Sequence, residues 1–315
     1  MPMASRQSFL LGLALVSACA PSQASSGALF VYRGGGCTGR DRLPAFVAMA
    51  GREPDGVVAF TERTSWQNML NSVTWSSNCW AGTNYRVSQA VPMLLDRGTT
   101  LREGANGAYD QHFARLGRLL VAKGRANAYL RIGWEFNGDW YAWSAEKDPE
   151  AFVQYFRRLV KVFRAVPGQK FQIVWNPARG QHKIAPDRVY PGDDVVDVIG
   201  LDIYNTSWRK EDVDPEVRWR NAANQPYSLS WLRDFAAQHN KPIALPEWGT
   251  GTSPNRQGQG DDPVFIRHMA AWIAANNVVY HAYWDYAAPD YNAELSGGRQ
   301  PRSAAAFREA FGPAR

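Results

Sequence analysis

Eight short apolar runs, spaced along the chain and mostly followed by helix-sized segments, constrain this sequence more than anything else in it. They are Ala28–Arg33, Gly56–Phe60, Gln89–Leu94, Ala128–Ile132, Phe171–Asn176, Val195–Tyr204, Pro242–Leu245 and Val278–Asp285. Strands alternating with helices imply a parallel sheet covered on both faces, and eight such units imply an α/β fold of the (β/α)8 barrel type. The helical segments are Leu43–Ala50, Ser65–Val73, Tyr109–Ala122, Asp148–Ala165, Leu229–Gln238, Pro263–Ala275 and Ser303–Phe311. In the third of these, Phe113, Leu116, Leu119 and Leu120 share one side and Gly124 ends it. Asp148-Pro149 opens the fourth as N-cap and first helical residue. Pro92 sits awkwardly in the third strand. Pro177–Tyr190 is the least helix-like connection, and Asn205–Pro226 reads as a long polar segment bearing Trp. No linker or internal repeat interrupts residues 28–315, so they form one domain, a size usual for a barrel.

Residues 1–27 read as a leader and spacer. Arg6 precedes a short apolar stretch, Phe9–Val16, too short to span a bilayer as a mature helix. Two cleavage readings stay open. Val16-Ser17-Ala18-Cys19 resembles a lipobox, which would acylate Cys19 and anchor the chain to a membrane; alternatively an ordinary signal peptidase cuts near Ala20 or Ala24. Either way the chain is exported. In an oxidising compartment Cys37 and Cys79 pair or stay as buried thiols; a disulfide would close a loop of about 43 residues and stabilise the fold by roughly 4 kcal/mol.

The net charge of +6 is spread out, with no Lys/Arg run that marks a nucleic-acid surface. Gly34-Gly35-Gly36 lacks the spacing and the Lys-Ser or Lys-Thr of a phosphate loop. His112, His182, His239, His268 and His281 show no metal-ligand spacing, and no Gly-x-Ser-x-Gly elbow occurs, so neither a metal nor a cofactor is expected. His239 and His268 read as helix residues; His281 is core or subsite. Nothing in the sequence demands an oligomer.

Barrel active sites lie at the C-terminal ends of the strands. Two carboxylates occupy such ends: Glu135 after the fourth strand and Glu247 after the seventh. Around Glu135 lie Arg131, Trp134, Asn137, Trp140, Tyr141 and Trp143; near Glu247 the topology brings Asp202, Tyr204, Trp248 and Trp284. Glycoside hydrolysis needs two carboxyl groups in unlike environments, one a proton donor and the other ionised. Apolar surroundings suit the donor, and aromatic faces suit sugar rings. Tyr204 is placed to hold Glu247 ionised, Trp284 to form a floor, and Arg131 to pair with Glu247 or a substrate hydroxyl. The plainer alternative is a buried Glu135–Arg131 pair and aromatic packing alone.

Arg131-Ile-Gly-Trp-Glu135-Phe-Asn137-Gly138-Asp-Trp140 resembles the acid/base motif of glycoside hydrolase family 26 in clan A, usually Arg-Pro-x-His-Glu-x-Asn-Gly-x-Trp. Val198-Ile-Gly-Leu-Asp202-Ile-Tyr204 and Pro246-Glu247-Trp248-Gly249 are similar to its sixth-strand and nucleophile segments, and the resemblance extends over residues 28–312. It implies a retaining, metal-independent endo-β-glycanase with Glu135 as acid/base and Glu247 as nucleophile, their carboxyls about 5–5.5 Å apart. β-1,4-Mannan is the first substrate it implies, with β-1,3-xylan and mixed-linkage glucan next and the cell's own exopolysaccharide an alternative. Ile132 and Trp134 depart from the motif; Trp134 stands where the family's His lies near the sugar 2-hydroxyl. A barrel that binds carbohydrate without catalysis and a transglycosidase using the same intermediate are the remaining readings.

Overall fold

The computed structural model describes residues 27–209 and 212–313. The leader, Cys19 and all of the spacer but Gly27 lie outside them. The chain runs β1 (Ala28–Tyr32), α1 (Gly36–Ala50), β2 (Gly56–Phe60), α2 (Trp66–Cys79), β3 (Arg86–Val91), α3 (Leu101–Ala105), α4 (Asp110–Ala122) and β4 (Tyr129–Ile132). It continues through α5 (Pro149–Arg164), β5 (Gln172–Trp175), β6 (Val198–Gly200), β7 (Ile203–Tyr204), α6 (Pro215–Asn224), α7 (Leu229–Gln238), β8 (Ile243–Gly249), α8 (Pro263–Ala275), β9 (Val278–Trp284) and α9 (Pro301–Phe311). Every strand pairing is parallel, and β1 bonds to both β2 and β9. Both β6 and β7 pair with β8, so they are one stave interrupted at Leu201–Asp202. The result is a closed (β/α)8 barrel of eight staves.

Alternation along the strands builds two cores. Phe30, Val58, Tyr129, Val174, Val198, Ala244, Tyr280 and Ala282 fill the barrel interior. Leu29, Val31, Val57, Leu130, Ile132, Ile173, Ile199 and Leu245 face outward into the helix layer. Burial on both faces is why the strands read as continuous apolar runs. Three helices share one start: Asp148, Asp214 and Asp262 each accept backbone N–H groups ahead of a Pro at the first turn.

α7 and α8 match their expected limits. The differences elsewhere have local causes. α1 begins at Gly36, seven residues before the expected start. The glycine triplet and Pro44 weaken the sequence signal, and a disulfide from Cys37 to Cys79, with Cα atoms 4.8 Å apart, ties its first turn to the end of α2. β3 ends at Val91, so Pro92 falls beyond the ladder and removes no hydrogen bond from it. α6 lies within the segment read only as long, polar and bearing Trp. The span 177–190 carries only a 3₁₀ turn at Pro186–Val189, as its sequence suggests. No helix among the described residues is long and apolar enough to cross a membrane.

Candidate active site

Glu247 owes its direction to an irregularity in β8. Strict alternation from the inward Ala244 would point residue 248 inward and residue 247 outward. Instead Leu245 pairs with His281 and Trp248 with Tyr283, three steps on one strand against two on the other. This bulge reverses the parity and turns the Glu247 carboxylate into the barrel mouth. Trp248, expected at the substrate, goes the other way. It is fully buried against Phe265, Phe307 and Phe311, and its Nε1 donates to His281 Nδ1 at 3.2 Å. Both rings belong to the helix-facing core, and burial pushes His281 down to about 3.

Below Glu247 lies Arg131, wholly buried on β4. Its Nη2 donates to Glu247 Oε1 and to Asp202 Oδ2, both at 2.7 Å, and its Nε to Asn176 Oδ1 at 2.7 Å. Two carboxylates thus face one guanidinium. Burial, outweighing the attraction of Arg131, holds Asp202 well above the usual carboxylate range. The second Glu247 oxygen accepts the Tyr204 hydroxyl at 2.8 Å. Burial and the adjacent carboxylate keep that phenol protonated, hence a donor. Among the described residues Glu247 therefore receives two side-chain hydrogen bonds, one of them from a charged donor.

Glu135 is delivered by the backbone. Beyond β4 the chain turns through left-handed conformations at Gly133 (φ 57°) and Glu135 (φ 53°), the latter unusual for a residue with a side chain. The Glu135 N–H is fixed to the Asn176 carbonyl at 2.7 Å, which ties the turn to the end of β5. Among the described residues its carboxyl receives one bond, from Trp140 Nε1 to Oε2 at 3.0 Å. Gly138 makes this possible: a Cβ there would lie 2.2 Å from the Trp140 ring. Burial, then the charge of Glu247, pushes Glu135 up to about 8, against smaller opposing effects of Trp140 and Arg131. The two acids thus sit in unlike surroundings yet sense each other.

Aromatic rings pave the space beside them. Trp284 stacks on Tyr32 at 4.2 Å and stands edge-on to Phe60 and Tyr204. Trp140 is 47% exposed beside Glu135. Trp134, by contrast, is buried. Its Nε1 donates to the Tyr141 hydroxyl at 3.0 Å, so Tyr141 stands between it and the cleft. Asn137 is buried as well and clamps Ala178, accepting its N–H and donating to its carbonyl, both at 2.8 Å. These two residues shape the turn around Glu135 rather than presenting polar atoms to a ligand. Asp202 works in the same indirect way, through Arg131.

The sequence reading omitted Tyr32 and Phe60, which end β1 and β2 and complete the aromatic floor with Trp284. Each lies two residues past an inward core residue, Phe30 or Val58, a periodicity that could have identified them. Among the described residues no group of three or more His, Cys, Asp or Glu side chains is arranged to hold a metal ion.

Comparison with known proteins agrees with this geometry. Residues 109–225 match the model of glycosyl hydrolase family 26. Endoglucanase H of Acetivibrio thermocellus is 26% identical over 221 residues, 66% of this chain and 22% of that protein. A mannan endo-1,4-beta-mannosidase of Bifidobacterium adolescentis is 27% identical over 159 residues, 48% of this chain and 15% of that protein. The chain therefore spans about a fifth of the length of these relatives. In fold it is similar to a family 26 beta-mannanase of Bacteroides ovatus, with a TM-score of 0.61 at 17% identity, covering 90% of this chain and 88% of that one. The stretch that is similar to glycosyl hydrolase family 26 includes Glu135, Asp202 and Tyr204, and the barrel that carries them has the same fold as the family 26 beta-mannanase.

Proposed function

We propose that the protein is an exported, retaining endo-β-glycanase that cleaves a β-linked polysaccharide, β-1,4-mannan being the first candidate. One observation carries the reading. The two strand-end carboxylates have opposite environments, Glu247 bonded by Arg131 and Tyr204 and Glu135 left with one indole donor in an apolar turn. Glu247 attacks the anomeric carbon as the ionised nucleophile. Glu135 protonates the leaving oxygen, then takes a proton from the water that releases the sugar. Tyr204 and Arg131 hold the nucleophile in place, and Trp284 with Tyr32 and Phe60 supports the ring at the cleavage point. The names of the relatives, a mannan endo-1,4-beta-mannosidase among them, support the substrate class.

The test is product release from mannan, glucomannan, β-1,3-xylan, mixed-linkage glucan and the host's own exopolysaccharide, with Glu135→Ala and Glu247→Ala alongside. Oligosaccharides released by the parent and by neither variant support the proposal. Release that persists in either variant, or none from any polymer, refutes it.

A further inference from the structure

Near the C-terminal ends of the strands one arginine has no ion pair among the described residues. Arg179 follows β5, and its N–H bonds to the Asp202 carbonyl at 3.0 Å. It is half-buried, and its Nη2 donates to the carbonyl and hydroxyl of Thr206 at 3.2 and 2.8 Å, both neutral acceptors. Nε and Nη1 have no partner among the described residues, and no carboxylate of those residues lies within ion-pair distance. Asp212, whose charge acts on it less than Tyr291, is already bonded by Ser207 and Asn221. Among the described residues the four buried arginines each commit two nitrogens, where Arg179 commits one. Arg33, Arg131 and Arg218 face carboxylates, and Arg125 gives two nitrogens to the carbonyls of Tyr85 and Trp80. Scarce water without a counter-charge pulls Arg179 down to about 10.

Its position matters as much as its state. The Arg179 carbonyl is 3.0 Å from His182 Nε2, and the His182 ring stands edge-on to Trp140, the partner of Glu135. Beyond Thr206 the surface opens into a cavity of about 450 Å³ lined by Trp208, Arg209, Arg256, Gln257 and Gln259. Trp208 is 69% exposed there, and neither Arg209 nor Arg256 has an ion pair among the described residues.

We propose that Arg179 anchors a carboxylate subsite, which takes a uronic acid where the β-glycan carries one. That carboxylate would accept a hydrogen bond from Nε or Nη1, which Thr206 leaves free, and the chain would continue toward Trp208. A bond from a guanidinium to a carboxylate is charge-assisted on both sides, which one to a hydroxyl is not. The inference rests on reading the cleft as a glycan site, and binding is measured apart from hydrolysis so that the two fail separately.

The experiment titrates the whole chain with methyl β-D-glucuronide, methyl β-D-glucoside and glucose 6-sulfate by calorimetry at low and high salt. The glucuronide should bind about tenfold more tightly than the glucoside, with the advantage shrinking as salt rises. Arg179→Gln should bring the glucuronide down to the glucoside, and Arg179→Lys should keep part of the difference. Equal affinity for the two sugars, binding of neither, tighter binding of the sulfate ester, or a glucuronide preference untouched by Arg179→Gln overturns the proposal. The comparison of sugars on the parent protein decides the matter even if the glutamine variant fails to fold. Failure to hydrolyse any polymer counts against the glycanase reading alone.

Discussion

Replacing Arg131 by Met tests the central network. Methionine keeps much of the volume but removes the cation shared by Glu247 and Asp202. All three groups are buried, so the carboxylates lose their counter-charge without gaining water. Removing one partner of a buried pair costs about 3–5 kcal/mol. Unfolding entropy near 2.1 cal/mol/K per residue, over roughly 285 described residues, gives about 0.6 kcal/mol per degree, so Tm should fall by about 5–8 °C. The sign with pH follows from the same groups. Burial already holds Asp202 above its unfolded value against the attraction of Arg131, and without Arg131 it lies further above. The folded variant then holds protons that the unfolded chain releases, and its stability declines as pH rises from about 4 through neutrality. The gap between parent and variant should therefore be widest near pH 7 and narrow toward pH 5. Adding Asp202→Asn and Glu247→Gln to Arg131→Met removes the buried charges and should restore part of the loss. Calorimetric melting at the two pH values reads all of this. A variant within about a degree of the parent at pH 7, or a gap that does not narrow on acidification, refutes the account of the network.

Tyr204→Phe removes one of the two donors to Glu247, and a hydrogen bond to a charged group is worth about 1.5–3 kcal/mol, so kcat should fall about 10–150-fold with KM little changed; an unchanged kcat contradicts the role given to Tyr204. Glu135, pushed up to about 8, must be protonated to donate, so kcat/KM should decline above about pH 8. Trp140→Phe removes the indole bond that favours the carboxylate and should move that decline to higher pH; a shift to lower pH reverses the assigned cause. Breaking the Cys37–Cys79 bond with Cys37→Ser and Cys79→Ser should cost roughly 4 kcal/mol in urea unfolding, and equal midpoints for parent and double variant refute a stabilising crosslink.

The barrel was legible because its signals are local. Apolar runs, Asp-Pro helix starts and their spacing lie within a few residues of one another, as the agreement over α7 and α8 illustrates. Asp214-Pro215 carries the same start signal, yet α6 was not picked out because its polar sequence obscured the apolar pattern. The candidate site was legible only as far as topology reached. Placing Glu135 and Glu247 at strand ends needs only the rule for barrels. Deciding between Glu247 and Trp248 needs the bulge in β8, which exists only in the pairing with β9. Tyr32 and Phe60 were passed over because only the closed ring brings the first two strands beside Trp284. Arg179 stood out only from its partners among the described residues, the neutral oxygens of Thr206, a property of three-dimensional surroundings rather than of any motif.

The single bond from Trp140 to Glu135 has a consequence for how binding and protons are linked. The indole is nearly half in water while the carboxyl it holds is already short of it. A sugar ring laid on Trp140 displaces that remaining water and favours the neutral acid further. Occupying the cleft then draws a proton onto Glu135, and affinity rises as pH falls toward 8. On the proposed mechanism the substrate would prime its own proton donor, and the empty cleft would hold that proton more weakly.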